Sequence, residues 1–219
     1  MRTLTELIDR EESAWPLVQQ WIGDAAVPVE VLPVDSAVGD AALYATQVTT
    51  RSPMGAIVHN VAGIFIDNGW LRVLGAGKHS RFQRSLPEWN EGRSNRYYLV
   101  ADDAVGGFFA INGGAIGDDI GDLYYYAPDS LCWEPCKFGF SQFLVWAMSE
   151  KLHEFYDSLR WDGWITEVKQ LSGDQAINIY PFLWAKGPPI KERHRGTVSI
   201  AEQWALQLDL QRQLDGHRG

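Results

Sequence analysis

The chain has 219 residues, and its 28 acidic side chains outnumber 19 Lys and Arg side chains, which gives a formal net charge of −9 at pH 7. Apolar types make up 46% of the chain, as in ordinary globular proteins, and this length is enough for one sizeable core. The acidic balance argues against nonspecific nucleic-acid binding and against an anionic membrane surface, because both need a basic footprint. It favours electrostatic steering of a basic partner.

The sequence also bears on compartment and cofactors. Its first residues lack the apolar core of a secretory signal, and no stretch approaches the roughly 18 apolar residues needed to span a bilayer. The two cysteines, Cys132 and Cys136, are too few for a disulfide scaffold, and zinc needs about four ligands. We therefore expect a cytoplasmic protein with reduced thiols and without a cofactor or metal.

The chain begins with a helical pattern. The spacing of apolar residues predicts a helix over residues 3–22, where Thr3 and Glu6 occupy the positions of a capping box. Pro16 lies inside this pattern and predicts a kink or a break, because proline lacks the amide hydrogen. Residues 24–40 then predict an extended connector with an edge strand.

A hairpin follows a short helix. A Ser-Pro pair opens the helix predicted over residues 52–60. Two apolar, β-branched runs joined by an Asp-Asn-Gly turn predict a hairpin over residues 61–76. Residues 77–96 are polar, and we expect them to form a long, mobile excursion.

The second half begins with the densest strand signal. Four strand-like runs, separated by turns rich in Asp and Gly, predict an antiparallel meander over residues 97–134. Helical spacing returns over residues 140–159 and 161–171. Residues 176–190 predict irregular structure, and a last helix over 200–214 opens with a second capping box.

These elements predict one α+β domain over residues 1–219, with a central, mostly antiparallel sheet and flanking helices at both termini. The sequence contains no complete catalytic signature. Its histidines do not pair at helical spacing, G-x-S-x-G is absent, and the GAGK run at 75–78 lacks the spacing of a phosphate loop.

Acidic residues and tryptophans concentrate around the turns, and we expect some of them to form a partner-binding rim. The candidates are Asp102, Asp103, Asp118, Asp119, Asp122, Trp89 and Trp133. A second interpretation is that Asp fills turns because it hydrogen-bonds its own backbone. A third is that two carboxylates among Asp102, Asp103 and Glu134 act beside aromatic walls, as in glycoside hydrolysis.

Two resemblances to protein families add to these predictions. Runs such as SPMGAIVHNVAGIFIDNGWLRVLGAG and YYYAPDSLCWEPCKFGFSQFLVWA resemble an uncharacterised bacterial domain-of-unknown-function family over nearly the whole chain. The middle of the chain is similar to the SUKH superfamily in the order of its motifs. These are Ala101-Asp102-Asp103, Gly106-Gly107, Phe109-Ala110, Tyr124 to Tyr126, Pro128-Asp129 and Ser141 to Leu144.

The SUKH resemblance covers residues 1–160 and leaves 161–219 as a mainly helical C-terminal extension. It implies an α+β fold, and many SUKH-like proteins are thought to be immunity proteins that neutralise bacterial toxins. The hypothesis is therefore a noncatalytic module that binds a basic protein, such as a toxin domain. The alternatives are an enzyme acting on a small molecule or carbohydrate through paired carboxylates, and a homo-oligomeric protein.

Overall fold

A computed structural model describes residues 1–216, except for the side chain at position 215. One sheet contains seven strands in the order in which they occur along the chain, and every neighbouring pair is antiparallel. Its strands are β1 (Val29–Pro33), β2 (Val61–Ile66), β3 (Leu71–Leu74), β4 (Tyr97–Asp103), β5 (Phe108–Asn112), β6 (Leu123–Ala127) and β7 (Cys132–Pro135). The prediction of an α+β fold around an antiparallel sheet is confirmed.

Helices precede, interrupt and follow this sheet. They are α1 (Leu4–Leu7), α2 (Trp15–Gly23), α3 (Ser36–Thr46), α4 (Pro53–Asn60), α5 (Leu86–Asn90), α6 (Phe140–Ala147), α7 (Lys151–Tyr156), α8 (Trp164–Val168) and α9 (Ile200–Gly216). A second sheet pairs β8 (Gln175–Tyr180) with β9 (His194–Ser199). No helix within residues 1–216 combines the length and the apolar character that crossing a membrane requires.

Local signals specify several of these elements. The side chain of Glu6 accepts hydrogen bonds from the backbone amide and hydroxyl of Thr3, so the first capping box is confirmed. The helical pattern breaks before Pro16, not at it, because the Asp9 carboxylate accepts two amides of the following turn. Pro16 instead lies in the first turn of α2, where its missing amide hydrogen costs nothing.

The β2–β3 hairpin is also confirmed. Its turn places Asp67, Asn68 and Gly69 at positive φ, and asparagine and glycine tolerate this conformation best. Two expectations are wrong. The excursion over 77–96 contains α5, and the irregular segment over 176–190 contains most of β8, whose pairing with β9 orders it.

The large sheet packs against a layer on each of its two faces. Alternate side chains of a strand point to opposite faces, so neighbouring residues contact different layers. On one face, Phe108 contacts Trp89 of α5 and Trp204 of α9, at centroid distances of 6.5 and 4.7 Å. On the other face, its neighbour Phe109 lies 4.9 Å from Phe143 of α6. Residues beyond 160 therefore contribute to the same core as the sheet.

A buried ion network joins the sheet to the layer that contains β8. Asp102 is fully buried, and its carboxylate lies 2.6 Å from Nη2 of Arg72 and 2.5 Å from Nη2 of Arg84. Arg72 also donates to the backbone carbonyls of Asp103 and Gln175, the latter in β8. Burial lowers the pKa of Arg84, while the charge of Asp102 opposes this shift. Attraction to the other ions therefore offsets the free-energy cost of removing each of these charges from water.

Removing one arginine tests this dependence. Arg72→Met leaves Asp102 with a single cationic partner in a dry environment, and we expect the free energy of unfolding to fall by about 3–5 kcal/mol. The matched control is Lys78→Met, because the Lys78–Glu88 pair is about half exposed and contributes under ~1 kcal/mol. Urea denaturation measures both, and equal losses would contradict a network that holds the layers together.

Candidate functional site

The structure buries two of the predicted rim residues. Asp102 and Asp103 are both 0% exposed, so neither can touch a partner in this structure, and the expectation that they form part of an exposed rim is wrong. They are consecutive residues of β4, and their side chains therefore point to opposite faces of the sheet. Asp102 faces the two arginines, and Asp103 faces α7.

Asp103 is held entirely by hydrogen bonds. Its Oδ1 accepts the backbone amides of Val105 and Gly107 at 3.0 and 2.8 Å. Its Oδ2 accepts the hydroxyls of Tyr125 and Tyr156 at 2.7 and 3.1 Å. Burial raises the pKa of Asp103 and raises the pKa of both tyrosines well above their ordinary value. This carboxylate thus ties the β4–β5 turn to β6 and α7.

The geometry also bears on the enzyme alternative. Asp102 and Asp103 lie on opposite sides of the sheet, and Glu134 is exposed on β7, where it accepts a hydrogen bond from Ser130 at 2.9 Å. These three carboxylates therefore do not line one hollow. Within residues 1–216, no group of three or more His, Cys, Asp or Glu side chains is placed to hold a metal ion.

The two tryptophans of the predicted rim lie in different environments. Trp89 is only 4% exposed, and it packs between the guanidinium groups of Arg84 and Arg93, so the expectation that it anchors an interface is wrong. It lies in α5, whose first turn carries a capping box between Ser85 and Glu88. Trp133 is half-buried on β7, with its ring 5.5 Å from that of Tyr97.

The remaining acidic candidates lie together, in a loop that joins β5 to β6. Residues 113–122, the acidic loop, contain Asp118 and Asp119, both exposed. Neither carboxylate has a hydrogen-bond or ion-pair partner among residues 1–216. Ile120 follows them with 74% of its surface exposed. Asp122 ends the loop and is half-buried. Two exposed carboxylates without partners thus directly precede an exposed apolar side chain.

One buried side chain organises the backbone of the acidic loop. Asn112 is 1% exposed, and its amide nitrogen donates to the carbonyls of Gly117 and Asp119 at 2.7 and 3.2 Å. Its side-chain oxygen accepts the amides of Gly114 and Ile116 at 2.7 and 3.3 Å. Because the backbone is held from within, docking on this loop loses little conformational entropy.

Trp133 lies at the other end of the strand ladder from this anchor, because it pairs with Tyr126, which pairs with Phe108. Tyr97 pairs with Asn112 in the β4–β5 ladder, and the Tyr97 ring contacts Trp133. The structure therefore brings Asp118, Asp119 and Asp122 into one loop. Trp133 instead belongs to the row of Asp102 and Phe108, and its ring lies 6.4 Å from that of Trp204.

Sequence reasoning missed Asn112 and Ile120. A signal for Asn112 is present, because an asparagine directly before Gly113-Gly114 is typical of a side chain that caps its own turn. A signal for Ile120 is also present, since it is an isolated apolar residue between Asp119 and Gly121. Nothing local marks Arg84 as a partner of Asp102.

Comparison with known proteins identifies relatives along nearly the full length. The family model described as "Protein of unknown function DUF2625" matches residues 4–203. The chain is 43% identical over 213 residues to "Putative uncharacterized protein YbfG" of Escherichia coli K12, covering 96% of this chain and 97% of that one. It is also 39% identical over 208 residues to an "Uncharacterized protein" of Haemophilus influenzae, covering 91% of each.

The anchoring role of Asn112 can be tested by hydrogen exchange. In Asn112→Ala, we expect the amides of Gly114 and Ile116 to exchange about 10-fold faster or more, because their common acceptor is lost. Asn60→Ala is the control, since Asn60 bonds to Ala56 at the end of α4 and should leave these amides unchanged. Unaltered exchange in Asn112→Ala would show that the loop backbone stays ordered without the Asn112 side chain.

Asp103 gives a prediction about pH. Burial raises the folded-state pKa of Asp103 above the ordinary value of 3.8, which applies to the unfolded chain. At pH values between the unfolded-state and the folded-state pKa, the folded chain therefore binds more protons than the unfolded chain. The contribution of Asp103 to the free energy of unfolding is therefore greatest below the unfolded-state pKa and falls as pH rises through the folded-state pKa. Asp103→Asn lacks this titration.

Denaturation of both proteins at successive pH values measures the effect. The stability of the wild-type chain minus that of Asp103→Asn should decrease as pH rises from the low end of the folded range. A difference that is constant, or that grows with pH, would contradict the assignment of a raised pKa.

Proposed function

The chain belongs to the family described as "Protein of unknown function DUF2625", and from the geometry of this member we propose that it is a noncatalytic protein-binding module. It docks the acidic loop against a basic surface of another protein. The observation that carries this proposal is the pinned loop, in which Asp118 and Asp119 lie exposed and unpaired beside Ile120.

Charge supports a basic partner. The formal net charge of −9 creates a long-range field that favours encounter with a positive surface. Unpaired carboxylates at the rim of an interface raise the association rate, and their effect weakens as salt is added. Ile120 supplies the apolar contact that slows dissociation once the charges have brought the two surfaces together.

A more specific form of the proposal is toxin neutralisation in the cytoplasm of a bacterium. A toxin that attacks nucleic acid needs a basic groove, and an acidic loop on a rigid backbone is suited to covering such a groove. The SUKH-like order of motifs between Ala101 and Leu144 supports an immunity role. In this form of the proposal the partner is the basic catalytic domain of a toxin.

A binding module fits the buried carboxylates better than an enzyme does. Asp102 is ion-paired with two arginines, Asp103 accepts hydrogen bonds from tyrosines and backbone amides, and these contacts hold the layers together.

The test begins with partner identification. The tagged chain is purified from its source cells under gentle crosslinking, and the proteins encoded by neighbouring genes are sought first among those recovered. If no such protein binds, and a toxin encoded beside this chain kills equally well with and without it, the proposal fails.

Charge reversal in the acidic loop then tests the site. Asp118→Lys combined with Asp119→Lys should slow association with the identified partner by about 10-fold or more at low salt, because attraction becomes repulsion. Glu11→Lys combined with Glu91→Lys is the control, since it changes net charge equally at exposed positions outside the loop. Equal slowing in both proteins would indicate a general charge effect and contradict a loop-specific site.

Ile120→Ala tests the apolar half of the interface. We expect it to increase the dissociation rate by about 10-fold, with little change in the association rate. Surface plasmon resonance separates the two rates, and an unchanged dissociation rate would exclude Ile120 from the contact.

A further inference from the structure

A groove on another part of the surface contains charges of both signs on apolar walls. Its volume is about 590 Å³, within the range of small-molecule sites. We call it the tryptophan groove. Its apolar walls include Trp164 and Ile165, and its polar members include Asp157, Arg160, Asp162 and Lys191.

Arg160 is fixed at the base of this groove. Its side chain is 10% exposed, and its guanidinium lies 4.2 Å from the ring of Trp164 and 4.8 Å from that of Trp70. One edge is held by Asp67, whose Oδ2 lies 2.6 Å from Nη2. The same oxygen lies 3.2 Å from Nε2 of His153. Aromatic faces and a buried carboxylate thus orient the cation before any ligand arrives.

The guanidinium retains an unused donor. Nε is buried against the rings without a hydrogen-bond partner, and Nη2 is directed to Asp67. Nη1 has no partner among residues 1–216, and it is not buried, so it is the nitrogen that a ligand in the groove can reach. A guanidinium edge presented in this way recognises a carboxylate.

Unpaired charges of both signs surround this donor. The side chains of Lys191, Asp157 and Asp162 are exposed, and none has a hydrogen-bond or ion-pair partner within the described part of the chain. Lys191 adds to the attraction for a carboxylate, whereas Asp157 and Asp162 attract a cation. A ligand with only a negative charge would be attracted by the two cations and repelled by Asp157 and Asp162. A ligand with only a positive charge would be attracted by these aspartates and repelled by the cations.

We propose that the tryptophan groove binds a small zwitterion, an α-amino acid with an apolar or aromatic side chain. Arg160 and Lys191 bind its carboxylate, and Asp157 and Asp162 bind its ammonium group. Trp164 and Ile165 contact its side chain. Every polar group of the groove then has a partner, and the apolar wall is covered.

L-Phenylalanine is the probe, and two analogues dissect the charges. 3-Phenylpropionate lacks the ammonium group, and phenethylamine lacks the carboxylate. Isothermal titration calorimetry should detect saturable binding of phenylalanine at millimolar concentration, with each analogue at least 10-fold weaker. No saturable heat with phenylalanine, or equal affinities for the three compounds, would overturn the proposal.

Conservative variants at the rim locate the site without disturbing Arg160. Lys191→Gln and Asp162→Asn should each weaken phenylalanine binding at least 10-fold, while Lys186→Gln, an exposed lysine outside the groove, should not. Binding that is unchanged in both rim variants would overturn the assignment to this groove. The charge-reversed loop variant should bind phenylalanine normally, so this test is independent of the partner-docking proposal.

Discussion

Strand β4 ends with two neighbouring carboxylates that are both fully buried, and this constraint organises the rest of the molecule. A charge removed from water must be compensated locally, and alternation along a strand requires two separate sets of partners. Asp102 obtains two arginines, one of which also binds the backbone of β8. Asp103 obtains two backbone amides and two tyrosine hydroxyls. Both layers are thereby fastened to the central strand.

This constraint separates the structural acids from the acids available for function. A carboxylate that is already paired in the interior cannot steer a partner, whereas one in an exposed loop can. The acidic loop has exposed charges, and its backbone is fixed by a buried asparagine that lies at the end of β5. In the function that we propose, the sheet is the scaffold and the loop between two of its strands is the contact surface, a common division in binding proteins.

The features that the sequence predicted are those specified by near neighbours. Thr3 with Glu6, and the Asp67-Asn68-Gly69 turn, have their partners within a few residues, so their patterns predict structure directly. The features it did not predict depend on distant contacts. The partner of β8 lies across a proline-rich segment, so the strand pattern of Gln175–Tyr180 is hard to interpret without β9. Asp102 in an Asp-Asp pair suggests a solvated turn until Arg72 and Arg84 are placed beside it.

The central claim is that this chain acts through the acidic loop and uses Asp102 and Asp103 only to hold its layers together. Hydrogen exchange of the chain with and without its purified partner tests it most directly. The account predicts that protection on binding concentrates in residues 113–122, with the amides of β4 unchanged. Protection that concentrates elsewhere and spares residues 113–122 would contradict it.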